Sequence, residues 1–353
     1  MENKNVISKE EEKKTKKKEV LWTFLSLLIA IGSIAMVLSR STSFKIDVFW
    51  DEIQGMNIGW LIPAFFCMFG YIWFEGKAIQ HIAKSLNFKT RTRDGVVYGA
   101  ADVYFSAITP SASGGQPASA YFMIRDGMPG SVVAITLLYN LIFYCLALLS
   151  IATVCLIAFG KVLTQLSIKF TLLYGIGFVI LIVLTGVFYL LMHKGRIIYH
   201  FCDRLIHIGE KLHIIRHGKE RREKLLVSME QYHECSDLIR KDRKAAVAVY
   251  FYNLLQRLTQ LAVSFCIFMA WKGDFPLALT ASAMQCFVAV GSSSVPIPGG
   301  MGVADYMMLH GFTYLLGKNM AVNMELLCRG ITFYGCVLTG GIITAIGYLK
   351  GRC

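Results

Sequence analysis

Charge is scarce in this chain. Asp, Glu, Lys and Arg together make up 17% of its 353 residues, where a water-soluble domain carries roughly a quarter. With 55% of residues hydrophobic and a mean hydropathy of +0.52, an ordinary soluble globule is excluded. The familiar signatures of nucleotide and acyl chemistry are missing as well. There is no P-loop, no GxSxG, no GxGxxG followed by an acidic residue and no HExxH. Any catalysis would therefore be intramembrane and would have to rest on Asp102, Asp305, Glu75 or a histidine. The cysteines form no CxxC pair. All ten stand singly, mostly inside apolar blocks, and are expected to be small apolar filler rather than disulfide partners or metal ligands. The ending YLKGRC is not a prenylation box, because nothing follows Cys353. No cofactor and no metal site is expected.

What the chain does have is a succession of apolar blocks of about 18 to 25 residues, the length a helix needs to cross about 30 Å of hydrocarbon. The fold class is therefore all-α and polytopic. Residues 1–19 form a mixed-charge tail too polar to pack, expected to be disordered and cytoplasmic. Full crossings are expected at about 20–39, 57–80, 131–159, 168–192, 245–271 and 325–349. The first is an uncleaved helix rather than a signal peptide, being too long and lacking a small-residue cleavage site.

Two further blocks do not behave as single crossings. The block 96–124 is interrupted by TPSASGGQP, and its leading arm of thirteen residues, VVYGAADVYFSAI, would reach only about 20 Å. The block 277–316 is broken by VPIPGGMG, where prolines remove backbone donors and glycines permit a reversal. Irregular backbone at membrane depth is tolerated only where protein or water satisfies it. Each block is accordingly expected to be a re-entrant helical hairpin facing a cavity.

The net charge of +13 reads as topogenic rather than as a nucleic-acid footprint, because the aromatics lie in the apolar blocks and not among exposed basic residues. Placing both termini in the cytoplasm puts most of the 36 Lys and Arg residues on the inside, even with the long loop 193–244 discounted. Residues 20–162 and 163–353 then each read helix, helix, hairpin, helix, with opposite starting sides. They form inverted halves of the kind that secondary transporters use to build a midplane site. The loop 193–244 holds six of the eight histidines, at 193, 200, 207, 213, 217 and 233, with no compact metal spacing. Ile197, Ile198, Phe201, Leu205 and Ile208 recur at helical intervals among basic residues there, which points to an amphipathic helix on anionic inner-leaflet lipid.

The candidate site residues fall into three groups. In the first hairpin, Ser111, Ser113, Gly114, Gly115, Gln116 and Pro117 offer hydroxyls, an amide and freed backbone N–H groups at a helix start, suited to a phosphate or carboxylate; a tight turn between packed arms is the alternative. In the second, Pro298, Gly299, Gly300 and Gly302 lead to Asp305, an ionisable group at depth that is either functional or paired with a basic residue. Between the hairpins, Asn253, Gln256, Arg257 and Gln260 share one helix face. Arg257 there suits phosphate recognition or, alternatively, a salt bridge to Asp102, Asp305 or Glu75. Glu325 and Arg329, four apart, are expected to form a local ion pair or a gate. Asn140 is expected to hydrogen-bond between helices.

The stretch TPSASGGQPASAYFMIRDG, followed by VPIPGGMGVADYMML, resembles the paired motifs of the flippase-like membrane family that includes the transmembrane part of lysylphosphatidylglycerol synthase. The likeness covers about residues 20–350. It implies a bacterial or archaeal membrane protein with re-entrant segments and, in the bifunctional members, movement of aminoacylated phosphatidylglycerol between leaflets. By resemblance the site residues are Ser113, Gly114, Gly115, Gln116 and Pro117, then Pro298, Gly299, Gly300, Gly302 and Asp305. Two departures stand out. The bifunctional members continue into a soluble synthase domain that is not found before Cys353, and Asp305 replaces an expected Glu. The function expected is a flippase for anionic or aminoacylated phospholipid, working with membrane phospholipid, with a separately encoded lipid synthase as a possible partner and a homo-oligomer as a possible state. A lipid-modifying transferase, such as a phosphatidylglycerol lysyltransferase, or a scaffold for a separate synthase are the other readings.

Overall fold

The computed structural model describes residues 53–109, 112–194, 218–293 and 302–350, together with a few single residues between these segments. The expected first crossing at 20–39, the charged tail, Ser111, Pro298, Gly299 and the apolar positions of the loop from Ile197 to Ile208 lie outside the described residues.

The described residues form helices and no strand: α1 Ile58–Ser85, α2 Thr92–Ile108, α3 Gly115–Arg125, α4 Gly130–Gln165, α5 Ile168–His193, α6 Gly218–Lys241, α7 Arg243–Lys272, α8 Phe275–Ser292, α9 Val303–Leu316, α10 Lys318–Arg329, a π-helical turn Gly330–Gly335, and α11 Cys336–Lys350. Six stretches are long and apolar enough to cross a membrane, namely α1, α4, α5, α7, α8 and the run Met320–Leu349. Five coincide with expected crossings. The sixth, α8, is the leading arm of the second expected hairpin; its 18 residues reach about 27 Å.

Local signals explain most helix ends. Asn57 and Ser167 cap α1 and α5 through their side chains, and Asp242 and Asp274 do so for α7 and α8. The left-handed Gly273 ends α7. The first hairpin's leading arm begins four residues earlier than its hydropathy suggests, because Asp94 accepts from the Arg91 backbone N–H at 2.9 Å and secures an extra turn at Thr92. At 36 residues α4 exceeds any bilayer requirement, and Phe159 breaks its regularity with φ −121° and ψ 15°.

α1 and α7 pack against each other at the centre of the molecule, and the two broken segments flank them. α2 crosses α1 at close range. A Cβ on Gly76 would stand 2.5 Å from the Gly95 carbonyl oxygen, so only glycine allows this approach. The outward faces stay apolar, as on α5, where Ile168, Leu172, Ile176, Val179, Ile182 and Val183 are exposed. For a helix that long and apolar, the exposed face is the lipid-facing one. α6 docks beneath α5 through Tyr232, whose hydroxyl donates to the Leu191 carbonyl at 3.2 Å, and Ser236, which donates to the Met192 carbonyl at 2.9 Å.

Candidate functional site

The polar stripe of α7 faces inward, as its spacing requires. Asn253, Gln256 and Arg257 are 0%, 1% and 4% exposed. Asn253 Nδ2 donates to Asn140 Oδ1 of α4 at 3.0 Å, and Gln256 Nε2 donates to Glu75 Oε2 of α1 at 2.6 Å. Asn140 Nδ2 completes the link by donating to Glu75 Oε1 at 2.6 Å. Asn140 is thus an interhelical hydrogen-bonder, as its sequence context indicates.

Arg257 does not make the salt bridge that was one of its two sequence alternatives. Its Nη1 donates to Gln260 at 2.8 Å and its Nη2 to the Tyr71 hydroxyl at 2.9 Å. The guanidinium carbon lies 4.0 Å from the Tyr144 ring centroid and 5.1 Å from that of Tyr71. Among the described residues no carboxylate lies within ion-pair distance of it, although Glu75 and Asp102 are near enough to feel its charge. The expected salt bridge to Asp102, Asp305 or Glu75 is therefore not made. Two tyrosine faces hold the cation instead, and Nε keeps no hydrogen-bond partner.

In the first hairpin the two arms meet tightly. Thr109 accepts from the Gly114 N–H at 2.8 Å and donates to the Phe105 carbonyl at 2.6 Å, fastening the turn. α3 starts at Gly115, with Gly114 as its N-cap, so Pro117 occupies the first turn, where a missing N–H costs nothing. Ser113 is exposed. A Cβ on Gly115 would fall 2.1 Å from Asp102 Oδ1 and 2.0 Å from Ser106 Oγ. The start of α3 therefore already faces a carboxyl group, that of Asp102, which also accepts from Gln116 Nε2 at 3.1 Å and Ser106 Oγ at 3.2 Å.

Asp102 in turn lies near enough to Glu75 for the two carboxyls to interact. A continuous polar line consequently runs from the first hairpin, through Gln116, Asp102 and Glu75, to Gln256, Asn140 and Asn253. Arg257 lies one position beyond Gln256 on α7. Glu75 is the junction. Its charge inside an apolar block was visible in the sequence, but not its direction.

The second hairpin builds its own cluster. Gly300 and Gly302 have φ of +63° and +81°, conformations that side-chain-bearing residues rarely adopt. Asp305 Oδ2 accepts from the Gly302 N–H at 2.8 Å, and Oδ1 pairs with Arg329 Nε at 2.7 Å. This corrects the expected Glu325–Arg329 pair: Arg329 is taken by Asp305 and stacks over the Phe333 ring at 4.8 Å. Glu325 is 4% exposed and its Oε1 has no hydrogen-bond partner. Asp305 is accordingly not a free receptor for a ligand's cation. The π-helical turn begins directly after Arg329, and such turns commonly mark sites where a helix is bent to place a side chain.

The structure thus gathers Gly115, Gln116, Asn253, Gln256 and Arg257 around two residues that were only secondary candidates, Glu75 and Asp102, while Gly114 faces Thr109. It gathers Gly302, Asp305 and Arg329 around a second centre. Tyr71 and Tyr144, which seat Arg257, carried no sequence signal beyond being aromatic residues in membrane helices.

Two comparisons with known proteins returned nothing: no curated protein and no solved structure matches the chain. The third did: residues 23–340 match the family described as lysylphosphatidylglycerol synthase TM region.

Proposed function

Because this chain belongs to the lysylphosphatidylglycerol synthase TM region family, whose role in the membrane is the handling of lysylphosphatidylglycerol, we propose that it is a lipid flippase. It moves anionic or aminoacylated phospholipid between leaflets and so contributes to resistance against cationic peptides. The observation that carries this reading is Arg257, a buried cation halfway along α7 with no ion-pair partner among the described residues and an unused Nε. A buried charge is costly unless something offsets it. A lipid phosphate is the anion that this family's chemistry supplies, and a guanidinium suits it.

In this reading the headgroup enters between the hairpins while its acyl chains stay in the bilayer, which lowers the cost of drawing a charged group through hydrocarbon. The two halves, 20–162 and 163–353, are inverted repeats that rock about the site, with hairpins dipping in from opposite faces. The protein resides in the bacterial cell membrane with both termini cytoplasmic. Basic residues of the 193–244 insert hold anionic inner-leaflet lipid, and a separately encoded synthase supplies the modified lipid.

The test is reconstitution in vesicles of phosphatidylethanolamine and phosphatidylglycerol carrying a labelled phosphatidylglycerol or its lysyl ester. Translocation that Arg257→Gln abolishes supports the flippase. A new lipid species without translocation would assign a transferase, and neither activity would leave the scaffold.

A further inference from the structure

The acceptor count around Glu75 does not balance. All four carboxyl oxygens of Glu75 and Asp102 are hydrogen-bonded by neutral donors: Asn140 and Gln256 at 2.6 Å each, Ser106 at 3.2 Å and Gln116 at 3.1 Å. The two carboxyls are buried, at 3% and 7% exposure, and lie near enough to interact. Beside them, Gln256 Oε1 and Asn253 Oδ1, on residues 1% and 0% exposed, have no donor at all. A buried cluster with surplus acceptors lacks a cation. Two carboxylates buried in one cluster, served by neutral donors and facing a single cation, do not both remain ionised, because like charges sharing a site repel.

We propose that Glu75 and Asp102 hold one proton between them and that this pair is the proton carrier of the transport cycle. The charged and titratable groups facing the pair are Arg257 from α7, Tyr71 from α1 and Tyr144 from α4. Of these only Arg257 carries a fixed charge. With one shared proton the pair contributes −1 and Arg257 +1, so the empty site is neutral. A lipid phosphate on Arg257 adds −1, and neutrality returns when the second carboxyl takes a proton. Anionic lipid and proton then bind together, and each raises the affinity for the other by the same factor. The coupling half of this inference rests on the flippase reading; the shared proton does not.

Infrared difference spectroscopy of the purified full-length protein tests the proton directly. The wild type is expected to show a protonated carboxyl band at neutral pH. That band should be lost in Glu75→Gln and in Asp102→Asn, where the single remaining carboxyl is the only counter-charge to Arg257. Glu75→Gln retains an amide that can donate to Asp102 and accept from Asn140, and Asp102→Asn serves where that variant does not fold. A band present in both variants at wild-type intensity, or absent from the wild type, overturns the proposal. Coupling is tested with labelled phosphatidylglycerol in phosphatidylcholine nanodiscs. Its apparent affinity is expected to rise about tenfold per pH unit towards acid where the second proton binds, as one linked proton requires, and to lose that slope in Glu75→Gln. A pH-independent affinity with the carboxyl band intact overturns the coupling alone. Failure of the wild type to move lipid in vesicles, with the band intact, overturns the flippase reading and leaves the shared proton standing.

Discussion

Arg329 Nε lies 2.7 Å from Asp305 Oδ1, tying the end of α10 to the first turn of α9. The same aspartate caps the α9 start through the Gly302 N–H. One carboxylate therefore holds both the start of α9 and the end of α10.

Removing one member of that pair should hurt more than removing both. Asp305→Asn leaves Arg329 buried without its partner, and the loss of a buried ion-pair member costs about 3 kcal/mol, somewhat less here because the Asp305 side chain keeps 19% exposure. The double variant Asp305→Asn with Arg329→Met should recover much of the difference. Thermal unfolding of the detergent-solubilised protein, read as a double-mutant cycle, checks the coupling; additive effects would contradict it.

Gly115→Ala should loosen the first hairpin. The new methyl would land within 2.1 Å of Asp102 Oδ1 and 2.6 Å of the Asp102 carbonyl, and the backbone atom cannot swing aside. Overpacking of this kind costs about 1–3 kcal/mol. Gly130→Ala, at a position with nothing within 4 Å, is the control and should leave the melting temperature unchanged.

Gly302→Ala tests the second turn for a different reason. No neighbour crowds this glycine, but its φ of +81° is a conformation that L residues disfavour by about 1–2 kcal/mol. The expected result is a lowered melting temperature. An unchanged value would show that the turn can relax to another conformation.

Arg257→Lys keeps the charge and loses the fork that reaches Gln260 and Tyr71 together. A compact ammonium cannot make both bonds at the same geometry. The initial rate of labelled phosphatidylglycerol translocation in vesicles should fall about tenfold, the worth of one charge-assisted hydrogen bond. A rate equal to wild type would remove Arg257 from the headgroup site.

Much of this arrangement was legible in the order of residues. Hydropathy alone placed α1, α4, α5, α7 and the final run, because a bilayer imposes one length on every crossing. The intervals between Asn253, Gln256, Arg257 and Gln260 fixed a single helical face, and burial of that face followed from the cost of showing it to lipid. Gly300 and Gly302 take the positive φ that glycine permits. α2 begins four residues before its apolar run, since hydropathy does not register the extra turn that Asp94 secures.

Partner choice was another matter. Spacing nominated Glu325 for Arg329, and packing gave it Asp305; spacing gave no reason to join Glu75 to Gln256, 181 positions away along the chain. The sequence by itself determined that this protein lies in a membrane, where its polar helical face is, and which segments must break. Only the tertiary structure decided which charges meet, because an ion or amide buried in hydrocarbon accepts whatever partner the helix crossings bring within about 3 Å, and those crossings depend on contacts such as Gly76 against Gly95 that no local pattern encodes.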